Sequence, residues 1–349
     1  ASDMNIDMTG IGLLYRYGYF SQVLTIKGEQ QTQYDFQHFS KLPVKPVRDK
    51  ENRILTVEIM LPGRALHARI WQVNVGRIKL YLLDTDFEFN SPEDRSISHH
   101  LYGGDNENRL KQEILLGIGG IRALGKLGID PDIYHSNEGH SAFINLERIR
   151  KILQYEKLTF TEAKEIVRAS TLFTTHTPVP AGHDEFEEDL MRKYIGHYPD
   201  RLKISWNELM ALGRSDPNKW TDKFNMSHLA AHLAQEINGV SMLHGSVTRD
   251  IFSKLWPGYL PEELHIGYVT NGVHYPTWTA GIWKEIYKGN FGPGFENDLT
   301  NEEYWHKIYE VADADIWSIK QNLRSRLIDA VKNRFKENWI KRHENPKQI

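Results

Sequence analysis

Six side chains able to bind a metal or move a proton, His135, Glu138, His140, His176, His183 and His274, fall in three short polar stretches of the chain. Zinc and related ions take imidazole and carboxylate ligands, but a helix-borne site needs HExxH or a comparable spacing. His135 and His140 are five apart and no such string occurs, so the sequence names no metal ligand. Taken singly, a loop histidine more often fixes a backbone group than a metal. Serine hydrolysis has less support, because no G-x-S-x-G elbow is present. Gly117, Gly119 and Gly120 in "LLGIGGIRALG" do not fit G-x-G-x-x-G and lie within a helical pattern, which leaves close packing or a helix break as their role. In "LYGGDNENRLKQE", a Gly103-Gly104 turn presents Asp105, Asn106 and Asn108 just before a helix. These could bond sugar hydroxyls; a solvated turn with an N-cap is the commoner use of such residues.

The surrounding periodicity indicates what must position these groups. Residues 54–84 read as strands broken at Pro62-Gly63 and Gly76-Arg77, a β-rich subdomain. From Asn108 the period becomes helical, with Leu110, Ile114, Leu115, Ile118 and Ile121 on one stripe. Ile133-Tyr134 leads into "HSNEGH", and a helix begins near Ser141. Thr159 with Glu162 forms a capping-box pattern, and "STLFTT" then reads as a strand running into "HTPVPAGHDEF". Met226 through Val247 keeps helical spacing over about six turns, followed by a strand into "TNGVH" and a last helix from Ile316 through Trp339. Three apolar strands thus each run into a polar loop, as in an open parallel α/β sheet, whose ligands bind beyond the strands' carboxyl ends. The three loops are expected to converge on one cleft. The division implied is an N-terminal part, 1–107, with the β-rich subdomain, and an α/β part, 108–349, with the cleft loops; the tail "KRHENPKQI" reads as a domain edge.

Composition narrows the partners. A formal charge of −3 with no Lys/Arg block argues against nucleic acid and membrane surfaces, and no apolar run is long enough to span a bilayer. Zero cysteines remove disulfides, thiolate metal sites and cysteine nucleophiles, and fit a cytoplasmic origin. Nine Trp, sixteen Tyr and fourteen Phe would serve either core packing or stacking on sugar faces, and composition does not choose between them.

Several strings together resemble the α-glucan (glycogen, starch or maltodextrin) phosphorylases. "GIGLLYRYGYFSQ" is similar to that family's G-x-G-x-x-Y-x-x-G-x-F-x-Q segment, and "DNENRLKQE" to its gate loop and following helix. "SNEGHSAF", "TTHTPVPAGHDEF", "FNMSHLA" with "EINGVSMLHG", and "VTNGVHYPTW" follow in the family's order, and the wording is closer to the bacterial and archaeal branch. The resemblance implies a GT-B glycosyltransferase fold, of which this chain would be the N-terminal half: a Rossmann-like parallel sheet with flanking helices plus the β-rich subdomain. It implies transfer of a terminal α-1,4-linked glucosyl unit to phosphate, giving glucose 1-phosphate with retention. By motif, Asn271 would bond the glucose 6-hydroxyl and His176 would offer its backbone carbonyl to the transferred sugar, its loop stiffened by Pro178 and Pro180. Glu138 and His140 would lie beside the glucose and acceptor site, with Asp105, Asn106 and Arg109 in the gate loop and its helix.

The resemblance also implies pyridoxal phosphate bound by a lysine outside this chain, and a homodimer. No cofactor-lysine segment and no early glycine-rich loop are matched, so the chain is expected to be an internal segment with half of an active site, inactive alone. Leu14 and Arg16 stand where animal enzymes have Arg and Glu, and the gate loop is shorter, so the resemblance does not carry control by loop opening over to this chain. The alternatives are a non-catalytic carbohydrate-binding module, a metal-dependent hydrolase, and a nucleotide-sugar glucan synthase.

Overall fold

The computed structural model of the chain describes residues 1–101, 103–179 and 182–342. Pro180 and most of the C-terminal tail, on which two of the sequence expectations rest, lie outside the described residues. Two compact units are formed: Ala1–Ser21 with Gln33–Asn271, and Gln22–Thr32 with the segment from Gly272 onward.

The first unit is α/β and holds two main sheets, besides the short pairing of Glu185–Phe186 with Phe224–Asn225. A five-stranded sheet is built on the meander Thr56–Leu61, Arg64–Val75 and Ile78–Asp84, paired antiparallel through turns at Pro62-Gly63 and Gly76-Arg77. Thr9–Leu13 adds in parallel to Ile78–Asp84, and Lys45–Pro46 pairs antiparallel with Arg64–Val75. Buried positions alternate along Thr56–Leu61, so one face, with Val57, Ile59 and Leu61, enters the core. The second sheet is wholly parallel, its strands lying side by side in chain order: Tyr134–Asn137, Thr171–Thr174, Glu236–Gly239 and Ile266–Tyr268. Helical crossovers make that order possible. They include Phe143–Tyr155 and Phe160–Ala169, the latter opening with both bonds of the Thr159/Glu162 capping box.

Between the sheets runs a nearly continuous buried helix, Asn106–Ile114 and Gly120–Leu127, joined by a π turn at Leu115–Gly119. A Cβ on Gly117 would lie 2.6 Å from Cβ of Phe143, and one on Gly119 would lie 2.8 Å from Cδ1 of Ile59. The glycines therefore let this helix approach a neighbouring helix on one side and the five-stranded sheet on the other. That realises both sequence readings, close packing and a local break in the α-helix.

One expectation is corrected. The helical stripe from Met226 to Val247 is two helices, Met226–His232 and Met242–Phe252, with the strand Glu236–Gly239 between them. Its last three residues are buried between neighbouring strands. A doubly covered strand shows no alternation, and its one large apolar residue, Ile237, falls by chance on the helical stripe.

The second unit carries the exposed hairpin Ser21–Leu24 and Gln30–Gln33, a small aromatic core of Tyr275, Phe291 and Phe295, and the long helix Asp313–Arg342. Among the described residues no helix is long and apolar enough to cross a membrane.

Candidate active site at the carboxyl ends of the parallel strands

The strand Tyr134–Asn137 ends at Glu138, whose backbone sits at φ 65° and ψ 171°, a region that glycine ordinarily occupies. Holding a side-chain-bearing residue there costs on the order of 1–3 kcal/mol, so the surroundings must fix it. They do so from every side. The Glu138 amide donates to the Thr174 carbonyl at 2.9 Å, and its own carbonyl accepts from Ser141 Oγ at 3.2 Å. Its carboxylate accepts from the His176 amide at 2.6 Å, Thr177 Oγ1 at 3.2 Å and Thr175 Oγ1 at 3.4 Å. One strained residue therefore gathers three consecutive residues of the next loop.

The His176 ring is exposed and its Nε2 lies 2.5 Å from Asn137 Oδ1. With ring and amide both tied, the peptide following His176 is held, and among the described residues no group donates to the His176 carbonyl. Pro178 fixes φ just beyond it. A lateral relay braces the strand ends beneath: His135 Nε2 meets Thr174 Oγ1 at 2.7 Å, and Thr174 Oγ1 donates to Asn238 Oδ1 at 2.8 Å.

A second wall comes from the start of the buried helix. Asp105 is its N-cap, accepting from the Asn108 amide at 2.8 Å, and Asn106 and Arg109 occupy the first turns. Arg109 crosses to the opposite loop, where its Nη2 donates to Asp184 Oδ2 at 2.8 Å, and its Nε lies 3.2 Å from Glu113 Oε1. Burial works to raise Asp184, but the Arg109 hydrogen bond and charge outweigh it and hold this carboxyl below its ordinary range. Burial, then the charge of Arg109, lowers His140, so its imidazole is held toward the neutral form.

These walls enclose a cavity of about 620 Å³, large enough for a sugar ring with its neighbours. Of the expected site residues, Asp105, Asn106, Arg109, Glu138, His140 and His176 line it together. Asn271 is not among the lining residues; its side chain is exposed and its amide donates to the Val240 carbonyl at 3.1 Å. Two of the three strand-end loops and the Gly103–Asn106 turn thus build the cavity. His274 belongs to the second unit. Asp184, Thr177 and Asn137 also line the cavity and were not singled out from sequence, although each sits in or beside a quoted motif. Among the described residues no group of three or more His, Cys, Asp or Glu side chains is placed to hold a metal ion.

The lining holds the carboxylates of Asp105, Glu138 and Asp184 and the single guanidinium of Arg109, together with amide, hydroxyl and imidazole groups. Such a wall can hydrogen-bond a neutral polyhydroxylated ring and complement positive charge developing on it. It offers little to a free anion.

The family profile described as carbohydrate phosphorylase matches residues 130–342, which carry the strand ends just described. The chain is 41% identical to a glycogen phosphorylase of Mycobacterium tuberculosis, over 98% of this chain and 40% of that protein. It is 39% identical to a maltodextrin phosphorylase of Thermococcus litoralis, over 97% of this chain and 40% of that protein. It is 35% identical to a glycogen phosphorylase of Aquifex aeolicus, over 99% of this chain and 49% of that protein. The chain spans less than half the length of these curated relatives. A cleft built from the motifs in family order and a profile match over most of the chain lead to one statement: the chain belongs to the carbohydrate phosphorylase family.

Proposed function

We propose that the chain contributes the glucosyl-binding half of an α-glucan phosphorylase active site, in a cytoplasmic enzyme of GT-B architecture that acts as a homodimer. The reaction breaks the C1–O4 bond of the terminal α-1,4-linked glucose and forms a C1–O bond to phosphate on the same face. The products are glucose 1-phosphate and a glucan shorter by one unit.

The observation that carries this reading is the His176 peptide, held by Glu138 at the wall of a cavity rich in hydroxyl-binding groups. A carbonyl dipole fixed beside the anomeric carbon complements an oxocarbenium-like charge without moving at the moment of reaction. Glu138 is then a positioning residue, because its carboxylate is spent on the loop. Asp105, Asn106 and neutral His140 suit hydroxyl recognition, and Asn271 would bond the sugar from beyond the cavity as described.

Pyridoxal phosphate would be held through a lysine outside this chain; the described lining contains no lysine, and no step is routed through the cofactor. Arg109, the single guanidinium in the lining, is engaged by Asp184, so the phosphate is expected to find its cationic partners elsewhere in the polypeptide. The test is glucose 1-phosphate release from maltoheptaose and inorganic phosphate by the full-length polypeptide. Product that requires phosphate supports the proposal; free glucose, or no product, would sink it.

A further inference from the structure

Behind the Arg109–Asp184 pair lies a carboxyl group that glucosyl transfer does not use. Glu113 follows Arg109 by one helical turn and is 1% exposed. Neither of its oxygens receives a hydrogen bond from a conventional donor, although Arg109 Nε stands 3.2 Å away. Glu113 and Asp184 converge on one guanidinium, with Arg109 Nε 3.2 Å from Glu113 Oε1 and Nη2 2.8 Å from Asp184 Oδ2, which brings the two carboxyl groups together. Two carboxylates that share one guanidinium, one of them fully buried, do not both stay ionised; one takes a proton and donates it to the other. Asp184 holds the Arg109 hydrogen bond and remains the anion, which leaves the proton on Glu113.

We propose that Glu113 is a positioning residue of the cavity: its un-ionised carboxyl donates to Asp184 and locks the Asp184–Arg109 bridge that ties the Gly103–Asn106 turn to the loop carrying His176. Burial, and then the Asp184 charge, push the Glu113 carboxyl well above its ordinary range, in keeping with this geometry. The other groups facing the trio are His140, from the turn after the first parallel strand, and Tyr15, beside Arg109. His140 is held toward neutral, so it does not compete for the proton. The lock matters because the two walls come from segments about 75 residues apart in the chain, and among the described residues Arg109 to Asp184 is the one ion pair between cavity-lining side chains of the two walls. The proposal rests on the phosphorylase reading only for the identity of the ligand.

A neutral donor and a counter-ion for Arg109 respond differently to substitution. Glu113→Gln keeps a neutral side chain that can donate to Asp184, while Glu113→Ala removes the contact. The 349-residue chain, labelled with 13C-glutamate, should show a protonated-carboxyl C=O infrared band at pH 7 that Glu113→Gln abolishes and Asp184→Asn shifts. Hydrogen exchange of the amides from Asp184 to Phe186 should stay within about twofold of wild type in Glu113→Gln and quicken about tenfold in Glu113→Ala, the effect of losing a hydrogen bond to a charged group. Absence of the band at pH 7, or a Gln variant as loose as the Ala variant, would overturn the proposal. If Glu113→Ala does not fold, the band and the Gln variant still decide. A chain that shows the band, in a full-length polypeptide that releases no glucose 1-phosphate from maltoheptaose and phosphate, would leave the lock standing and remove the glucan reading.

Discussion

Along Arg64–Val75 in the five-stranded sheet, buried positions alternate with half-buried ones, and the chain reverses at turns whose glycines take positive φ, Gly63 at 72° and Gly76 at 59°. In the parallel sheet the strands are only three or four residues long, and the residue beyond the first strand that takes positive φ is Glu138 at 65°. The first sheet places each local requirement on a residue that meets it cheaply. The second places backbone strain and displaced titrations at one set of strand ends. The difference teaches where this unit spends its stability: packing in one sheet, geometry of the cavity in the other.

Substitutions can break this contrast. Leu66 is fully buried in the five-stranded sheet, and Leu66→Ala should lower unfolding free energy by about 2–5 kcal/mol in denaturant titrations. Maltoheptaose affinity, measured well below the transition, should not change; a parallel fall would erase the distinction between the sheets. Glu138→Gly should do the reverse, relieving the backbone while freeing the His176 loop. Phosphorolysis by the full-length polypeptide is expected to drop about 100-fold, as a misplacement of about 1 Å would cause, with little change in melting temperature. Equal losses of both would mean Glu138 is an ordinary core residue.

Gly117→Ala tests the helix between the sheets, where the added Cβ would meet Phe143 and cost about 1–3 kcal/mol. A smaller contribution should appear on acidification. Burial, then nearby His232, lowers His228 from about 6.5 to about 4, so the folded chain keeps this ring neutral where the unfolded chain protonates it. Stability should therefore fall as pH drops from about 6.5 to about 4, with a slope of at most about 1.4 kcal/mol per pH unit from this group. His228→Gln should flatten that segment of the profile; an unchanged slope would show that His228 is not responsible. Smallest is Thr159→Ala, which removes one capping-box bond and should cost about 1 kcal/mol without touching the cavity.

The same contrast explains what could be read in the sequence. The meander at 56–84, the Thr159 cap and the long final helix were legible because period and turn chemistry are local signals. The strand Glu236–Gly239 was not, since burial on both sides comes from partners distant in the chain and leaves no alternation. Among site residues, the motifs singled out Asp105, Asn106, Arg109, Glu138, His140 and His176, which the structure gathers in one cavity, and they already pointed to the His176 carbonyl. What the geometry adds is the hold of Glu138 on the loop that carries the His176 peptide. Asp184 and Glu113 escaped notice because their roles arise only where Arg109 bridges distant segments. Asn271, from an equally strong motif, lies outside the cavity the others share.

The most direct test is the structure of the chain determined with maltoheptaose. The account predicts a terminal glucosyl ring inside the cavity lined by Glu138, His140 and His176, with the His176 carbonyl turned toward its anomeric carbon. A ring bound elsewhere on the chain, with this cavity holding only water, would contradict it.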